Sequence, residues 1–238
     1  MRLSGGDGRK LLNTFELIVN ATPEGEPVVI TNDSVLRLVQ KNTVLYDKTG
    51  EQHYDIISAF IKSIRGSDPN GAVYWLARMI EGGEDVKFIA RRMLILASED
   101  IGNANPTAMI LANNTFQAVT TIGYPEARII LSQCAIYLAS SPKSNASYKA
   151  INKAQQVVKQ TGDLSVPIHL RNAPTKLMKE LGYGKDYQYA HDYAHNFAFQ
   201  DYLPDELQGE TFYEPSDNPR ENALRDYLKK LWGERYGY

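Results

Sequence analysis

Apolar residues recur every three or four positions through the middle of the chain, from about residue 50 to about residue 160. This period places them on one face of successive α-helices, and each such face needs another element to cover it. Six segments of this kind follow one another, with apolar faces at 57–64, 73–80, 86–97, 108–122, 127–138 and 148–158. The pattern predicts an all-α fold for this part of the chain.

Residues that start and stop helices separate the six segments. Asp68 is placed to cap the second helix with Pro69 in its first turn, and Gly82 with Gly83 ends that helix. Ser144 is expected to cap the sixth helix. Because short connections favour neighbouring helices, and no motif repeats at a fixed period, we predict a compact helical bundle rather than a solenoid.

The two ends of the chain follow a different pattern. Residues 1–43 predict a helix through Leu12 and Phe15, a connector at 22–27 and a second helix from about position 31. A unit of this size buries too little apolar surface to fold alone, so it is expected to lean on another element. Beyond residue 163 the helical period weakens, and ordered irregular structure with short helices at 174–181 and 218–232 is predicted.

Composition narrows the class of protein. The 238 residues include 26 Lys and Arg against 28 Asp and Glu, so the net charge of −2 carries no general basic excess for nucleic acid. No apolar run reaches the length of about 20 residues that crosses a bilayer. Cys134 is the only cysteine, which excludes an internal disulfide. A cytoplasmic protein without membrane contact is expected.

Several motifs of catalytic or metal-binding type are better explained by chance or by packing. Ser140 and Lys143 fit a Ser-x-x-Lys pattern, but the Lys-Thr-Gly triplet at 48–50 precedes the serine instead of following it. His191 and His195 lie four residues apart without a third ligand, so hydrogen-bonded structural histidines are favoured over a metal site. Cys134 lies on an apolar helical face and is expected to be a buried, inert thiol. No catalytic residue and no metal site are predicted.

The segment 166–193 combines basic and aromatic residues more densely than the rest of the chain. Such a mixture can hold phosphates while rings stack on exposed bases, or it can form a protein interface, in which tyrosine and arginine are enriched. It can also simply cover the bundle. The candidate interface or DNA-binding residues are His169, Arg171, Lys176, Lys179, Tyr183, Lys185, Tyr187, Tyr189 and His191.

Long stretches of the chain resemble the C-terminal domain of RarA/MgsA proteins, the bacterial relatives of the Werner-helicase-interacting ATPase. The longest is 166–185, which reads VPIHLRNAPTKLMKELGYGK. Further similar segments lie at 54–60, 63–80, 98–102, 189–192, 200–207 and 212–216. The resemblance covers 44–238, and it implies that this part is a helical oligomerisation domain of the clamp-loader type.

The start of the chain resembles another part of the same proteins. Gly6-Asp-Gly-Arg9 is similar to the sensor-2 motif of the AAA+ lid, although Gly8 replaces the usual alanine. The resemblance implies that Arg9 approaches the ATP phosphates in the parent protein; in this chain alone it is expected to be an exposed helical arginine. No Gly-x-x-x-x-Gly-Lys-Ser/Thr loop and no apolar strand ending in paired acidic residues occur in the sequence. We therefore expect a partial lid at 1–43 and no ATP hydrolysis by this chain.

The resemblance also implies a function. It implies a domain that holds subunits together as a homotetramer and presents ATPase cores to DNA at stalled forks, in replication, recombination and repair. The intact parent would bind ATP and magnesium, communicate with single-strand-binding protein, and work in the cytoplasm at the nucleoid. The alternative is a module that binds single-stranded or forked DNA directly, through 166–193 and the Arg91–Arg92 face.

Overall fold

The computed structural model describes residues 51–238, residues 27–33 and the single positions 12, 15, 16, 19 and 22. Its eight described α-helices are α1 (Glu51–Arg65), α2 (Pro69–Glu81), α3 (Val86–Leu96), α4 (Thr107–Ile122), α5 (Ala127–Ser140), α6 (Ala146–Thr161), α7 (Lys176–Glu180) and α8 (Pro219–Trp232). No strand occurs within the described residues. The prediction of an all-α fold is confirmed, and so are short helices near 174–181 and 218–232.

Side-chain caps explain why several of these helices begin where they do. Asp68 accepts hydrogen bonds from the backbone N–H groups of Asn70 and Gly71, both at 3.0 Å, and Pro69 occupies the first helical position of α2. At α8 the cap is reciprocal. Asn218 accepts from the Glu221 N–H at 3.0 Å, and its amide donates to the buried Glu221 carboxylate at 2.6 Å.

The hydrophobic core lies among α1 to α5. α1 packs on α2, α3 packs on α4, and α4 packs on α5, while α5 also packs against α1, α2 and α3. The largest fully buried core side chains are Phe60, Ile64, Leu76, Met79, Ile89, Met93, Ile101, Leu131 and Leu138. Most of them lie on the apolar stripes that the helical period predicts, because a helix buries the stripe that faces its neighbours. The stripe of α2 differs from the prediction: Met79 is buried with Leu76, whereas Ala77 is exposed.

A wide π turn at Ala97–Ile101 links the bundle to α6. The Asp100 carboxylate accepts from the Arg65 guanidinium at 2.7 Å, and the Asp100 backbone carbonyl accepts from the Ser144 N–H at 2.8 Å. Gly102 follows with φ +49°, and a Cβ at this position would lie 3.1 Å from the Ser144 carbonyl oxygen. The turn thus joins the end of α1 to the start of α6 and requires glycine at its exit.

The start of α6 differs from the prediction by one residue. Asn145 occupies the N-cap position without a side-chain hydrogen bond. The buried Ser144 hydroxyl instead accepts from the Ala146 N–H at 3.3 Å and shares a 3.0 Å hydrogen bond with the Ser216 hydroxyl. Ser144 therefore connects α6 with the C-terminal segment, because a hydroxyl can accept one hydrogen bond and donate another at the same time.

The predicted place of α6 inside the bundle is wrong. No residue of α6 belongs to the hydrophobic core cluster, and its strongest packing is against the π turn and the short 3₁₀ turn Gly102–Ala104. Its apolar stripe is exposed at Tyr148, Ile151 and Val158. Within the described residues, five helices form the core and the sixth lies on its outside.

Residues 163–238 follow α6 as ordered irregular structure that ends in an aromatic cluster. The rings of Phe197, Phe199, Tyr202 and Tyr236 surround Trp232 of α8 at centroid distances of 4.9 to 6.2 Å. Arg235 lies over this cluster and forms an ion pair with Asp201. Aromatic packing of this kind holds a segment in place without a continuous helix. Within the described residues, no helix has both the length and the apolar character needed to cross a membrane.

Candidate subunit and nucleic-acid interface

Arg171, a candidate binding residue, is bonded within its own segment. Its Nε donates to the Val166 carbonyl at 2.7 Å, and one terminal nitrogen donates to the Tyr183 hydroxyl at 3.3 Å. The guanidinium also lies 5.1 Å from the centre of the Tyr183 ring. Stacking and hydrogen bonding together hold the two ends of 166–183 against each other. Arginine suits this role better than lysine, because its planar guanidinium can stack on a ring and donate several hydrogen bonds at once.

His169 joins the same segment to the rest of the chain, and Gly184 closes it on itself. The His169 Nε2 lies 2.7 Å from the Asp201 carbonyl oxygen, and the Gly184 N–H donates to the Ile168 carbonyl at 3.0 Å. Gly184 has φ +73°, and a Cβ there would lie 3.2 Å from a backbone carbonyl oxygen. Part of the 166–185 signature is therefore structural, since these groups satisfy one another instead of facing a ligand.

The lysines of this segment are presented to solvent. Lys176 lies 3.9 Å from Glu180 one turn along α7, and both side chains are largely exposed. Lys179 and Lys185 are exposed, and within the described part of the chain neither forms an ion pair. An exposed, unpaired ammonium can meet a phosphate or an acidic side chain without first breaking another contact.

Three tyrosines that follow these lysines in the chain have much of their rings in solvent. Tyr187, Tyr189 and Tyr193 are exposed by 46%, 54% and 46%. The Tyr189 ring lies 5.2 Å from the His191 ring, whose Nδ1 is 3.3 Å from the Asn196 side-chain oxygen. Such rings are available for stacking on bases or for burial in an interface.

His191 and His195 do not share a helical face. They lie in separate 3₁₀ turns, Ala190–Asp192 and Ala194–Asn196, and His195 has φ +60°. Their spacing in sequence therefore does not place two imidazoles side by side as it would on an α-helix. Within the described residues, no group of three or more His, Cys, Asp or Glu side chains is arranged to hold a metal ion.

The remaining chemically active groups predicted from sequence lie on the bundle. Cys134 is fully buried on α5, and burial raises the pKa of its thiol to about 11, although a hydrogen bond with Thr115 lowers that pKa in part. Arg91 is exposed with its guanidinium 5.7 Å from the Phe88 ring, whereas Arg92 is half-buried. The two arginines therefore do not form one solvated basic face. Arg9 lies outside the described residues.

An exposed apolar surface next to the C-terminal segment lies on α6. We define the α6 face as Tyr148, Ile151, Ala154 and Val158, of which Ile151 and Val158 are exposed by 55% and 59%. The opposite side of α6 is occupied, because Lys153 donates to the Thr211 carbonyl at 2.6 Å. The helical period predicts this apolar stripe but gives no sign that it lies outside the core, so the candidate interface was not predicted from the sequence.

Two grooves run along the α6 face and share Ile151. The first, of 530 Å³, lies between the end of α3 and the start of α6; we call it the α3–α6 groove. It is lined by Leu94, Ile95, Ser98, Glu99, Ser147, Tyr148 and Ile151. The second, of 310 Å³, is lined by α6 residues alone: Ile151, Ala154, Gln155, Val158 and Lys159. An exposed apolar surface on a folded domain is a candidate interaction site.

Two protein-family models match the sequence of this chain. The family model described as "MgsA AAA+ ATPase C terminal" matches residues 66–232, and the one described as "AAA C-terminal domain" matches residues 1–65. The chain belongs to the MgsA AAA+ ATPase C-terminal family. The resemblance noted from the sequence is thereby confirmed, and this family is part of the AAA+ ATPases.

Individual relatives support the same assignment. The chain is 46% identical over 193 residues to "Replication-associated recombination protein A" of Coxiella burnetii, an alignment that covers 81% of the chain and 44% of the relative. It is 44% identical over 231 residues to the protein of the same name in Bacillus subtilis, with 95% of the chain and 54% of the relative covered. It is 39% identical over 206 residues to "ATPase WRNIP1" of Dictyostelium discoideum, covering 79% of the chain and 24% of the relative. The chain spans about half the length of its bacterial relatives or less.

Proposed function

We propose that this chain is the self-association domain of a AAA+ ATPase that acts in DNA replication, recombination and repair. Membership of the MgsA family and relatives named as replication-associated recombination proteins support the setting. The observation that carries self-association is the exposed α6 face with its two grooves. An apolar surface that the fold leaves exposed favours contact with another subunit. Its burial releases water and does not require the fold to open.

The finer assignments follow from the same proposal. Residues 44–238 form the oligomerisation domain and assemble a homotetramer, while residues 1–43, with Arg9, belong to the lid of the nucleotide-binding region. In the intact protein that region binds ATP and magnesium, and the assembly brings it to stalled forks together with single-strand-binding protein. Such a protein works in the cytoplasm at the nucleoid, and this chain supplies assembly but no hydrolysis.

The oligomeric state tests the proposal directly. Sedimentation velocity and light scattering of the full chain across a dilution series should give a mass that rises with concentration towards that of a tetramer. A chain that sediments as a monomer at high micromolar concentration contradicts self-association. ATP hydrolysis by the purified chain contradicts the absence of a nucleotide-hydrolysing core.

Direct DNA binding is a second candidate, favoured by the exposed tyrosines and unpaired lysines of the C-terminal segment. Lys179, Lys185 and Tyr189 together offer ammonium groups for phosphates and a ring for stacking. Self-association ranks first because the overall charge of −2 supplies little long-range attraction for DNA.

Binding of fluorescent single-stranded and forked oligonucleotides over a salt series tests this second candidate. Lys179→Ala and Lys185→Ala together should reduce the slope of log affinity against log salt by about 1.4 to 1.8, the value for two lost phosphate contacts. Lys62→Ala, which removes an exposed lysine from α1, is the matched control and should leave the slope unchanged. An equal effect of both changes, or no retention at low salt, rejects a specific role for this segment.

A further inference from the structure

The α6 face has two unlike halves. Its N-terminal half forms one wall of the α3–α6 groove, whereas from Ile151 to Lys159 the surface is lined by α6 alone. We propose that α6 pairs antiparallel with α6 of a second copy about a two-fold axis at Ala154. In this arrangement, which rests on the proposed self-association, Val158 of each copy enters the α3–α6 groove of the other.

The spacing along α6 suits this reciprocal insertion. A two-fold axis at Ala154 places each position opposite the one equally far on the other side, so Val158 lies near Ala150 and Ile151 of the second copy. Ala154 and Ala150 are small, which allows two helices to approach to about 8 Å. One surface patch then pairs with itself, as a two-fold interface requires.

Charge at the two ends of the α6 face selects the antiparallel direction. Glu99 lines the α3–α6 groove, and Lys159, in the last turn of α6, lines the second groove. Antiparallel pairing brings the Lys159 end of one copy to the Glu99 end of the other. Parallel pairing would set like charges together at both ends. Glu99 also lies 3.8 Å from Arg65, so its charge is already partly compensated. The contact between Glu99 and Lys159 of the second copy therefore determines the direction of pairing more than the affinity.

The size of the surface and its surroundings favour a second copy as the occupant. The 16 residues of α6 span about 24 Å, and with the end of α3 the strip is about 20 Å wide. Such a strip measures about 480 Å² per copy, which corresponds to an interface of the small, weakly associating class. The chain's own C-terminal segment is already seated on the opposite side of α6, where Lys153 lies 3.3 Å from Glu210.

Single-cysteine cross-linking tests the axis. Native Cys134 is fully buried with a thiol pKa raised to about 11, so an introduced cysteine is the reactive thiol in a mild copper-catalysed oxidation. Ala154→Cys should form a disulfide-linked dimer, because the two copies of this position lie within the roughly 7 Å that a disulfide spans. Lys159→Cys should not, since antiparallel pairing separates its two copies by about 15 Å along the helix axis.

The outcomes separate this inference from the proposed function. Cross-linking of both variants indicates parallel pairing and overturns the inference, as does equal cross-linking of Ile110→Cys on the outer side of α4. An oligomer in light scattering whose Ala154→Cys variant remains unlinked rejects the axis while self-association stands. A monomer by light scattering rejects both.

An aspartate scan gives an independent measurement. Ile151→Asp should weaken dimer formation by about 100-fold or more in sedimentation equilibrium, because a two-fold interface loses the side chain twice. Ile110→Asp is the matched control, since Ile110 and Ile151 are exposed by 61% and 55%. Both sites are on the surface, so neither variant should lose helical circular dichroism. Equal weakening by the two variants overturns the inference.

Discussion

Replacing Cys134 by alanine is expected to reduce the loss of stability that this protein undergoes at alkaline pH. Cys134 of α5 is fully buried beside Thr115 of α4. Burial raises the pKa of its thiol from 9.0 to about 11. Between these two values the unfolded chain gives up the thiol proton while the folded chain keeps it. The free energy of unfolding therefore falls as pH rises above 9.0. The fall levels off near pH 11, where the thiol of the folded protein ionises as well.

The expected size follows from the two pKa values. Between about pH 8 and about pH 10, linkage with pKa values of 9.0 and about 11 gives a loss of about 1.3 kcal/mol from this one thiol. Tyr124, Tyr213 and Tyr238 also have pKa values raised by burial, but they are present in both proteins and cancel in the comparison. At about pH 8 the alanine variant should itself be less stable by about 1 kcal/mol, because the sulfur leaves a small cavity.

Urea denaturation of both proteins at the two pH values measures this effect. The stability deficit of Cys134→Ala should shrink, or change sign, by about 1.3 kcal/mol on going from about pH 8 to about pH 10. A deficit that is the same at both pH values would refute the reasoning, because the thiol would then ionise as easily in the folded protein as in the unfolded chain.

Three further substitutions test local features of the fold. Gly102→Ala should lower stability in thermal unfolding by about 2 kcal/mol and by more than Gly83→Ala, since both have positive φ but only Gly102 has a backbone oxygen near the added Cβ. Lys143→Met should cost about 1 to 2 kcal/mol in urea denaturation, because its ammonium donates to three carbonyls at the end of α5. Arg171→Ala, which removes the stack on Tyr183, should speed proteolysis of the C-terminal segment while leaving the unfolding temperature of the bundle unchanged. A proteolysis rate equal to wild type contradicts the locking role.

The sequence alone determined the helices of the bundle. Phe60, Leu76, Met93 and Leu138 are buried because the helical period places each on a stripe that faces its neighbours. The cap at Asp68 was predictable for the same reason, since its partners are two and three residues away and local contacts follow from local spacing.

Tertiary structure decided which apolar faces remain open and which polar groups are used internally. The stripe at Tyr148, Ile151 and Val158 has the same period as a core stripe, and only the closure of the core by the first five helices leaves it exposed. In the same way, the partners of Arg171 and His169 are carbonyls and a hydroxyl brought together by turns. Periodicity records that a helix has an apolar side; what covers that side depends on contacts between residues far apart in the chain, which no local pattern encodes.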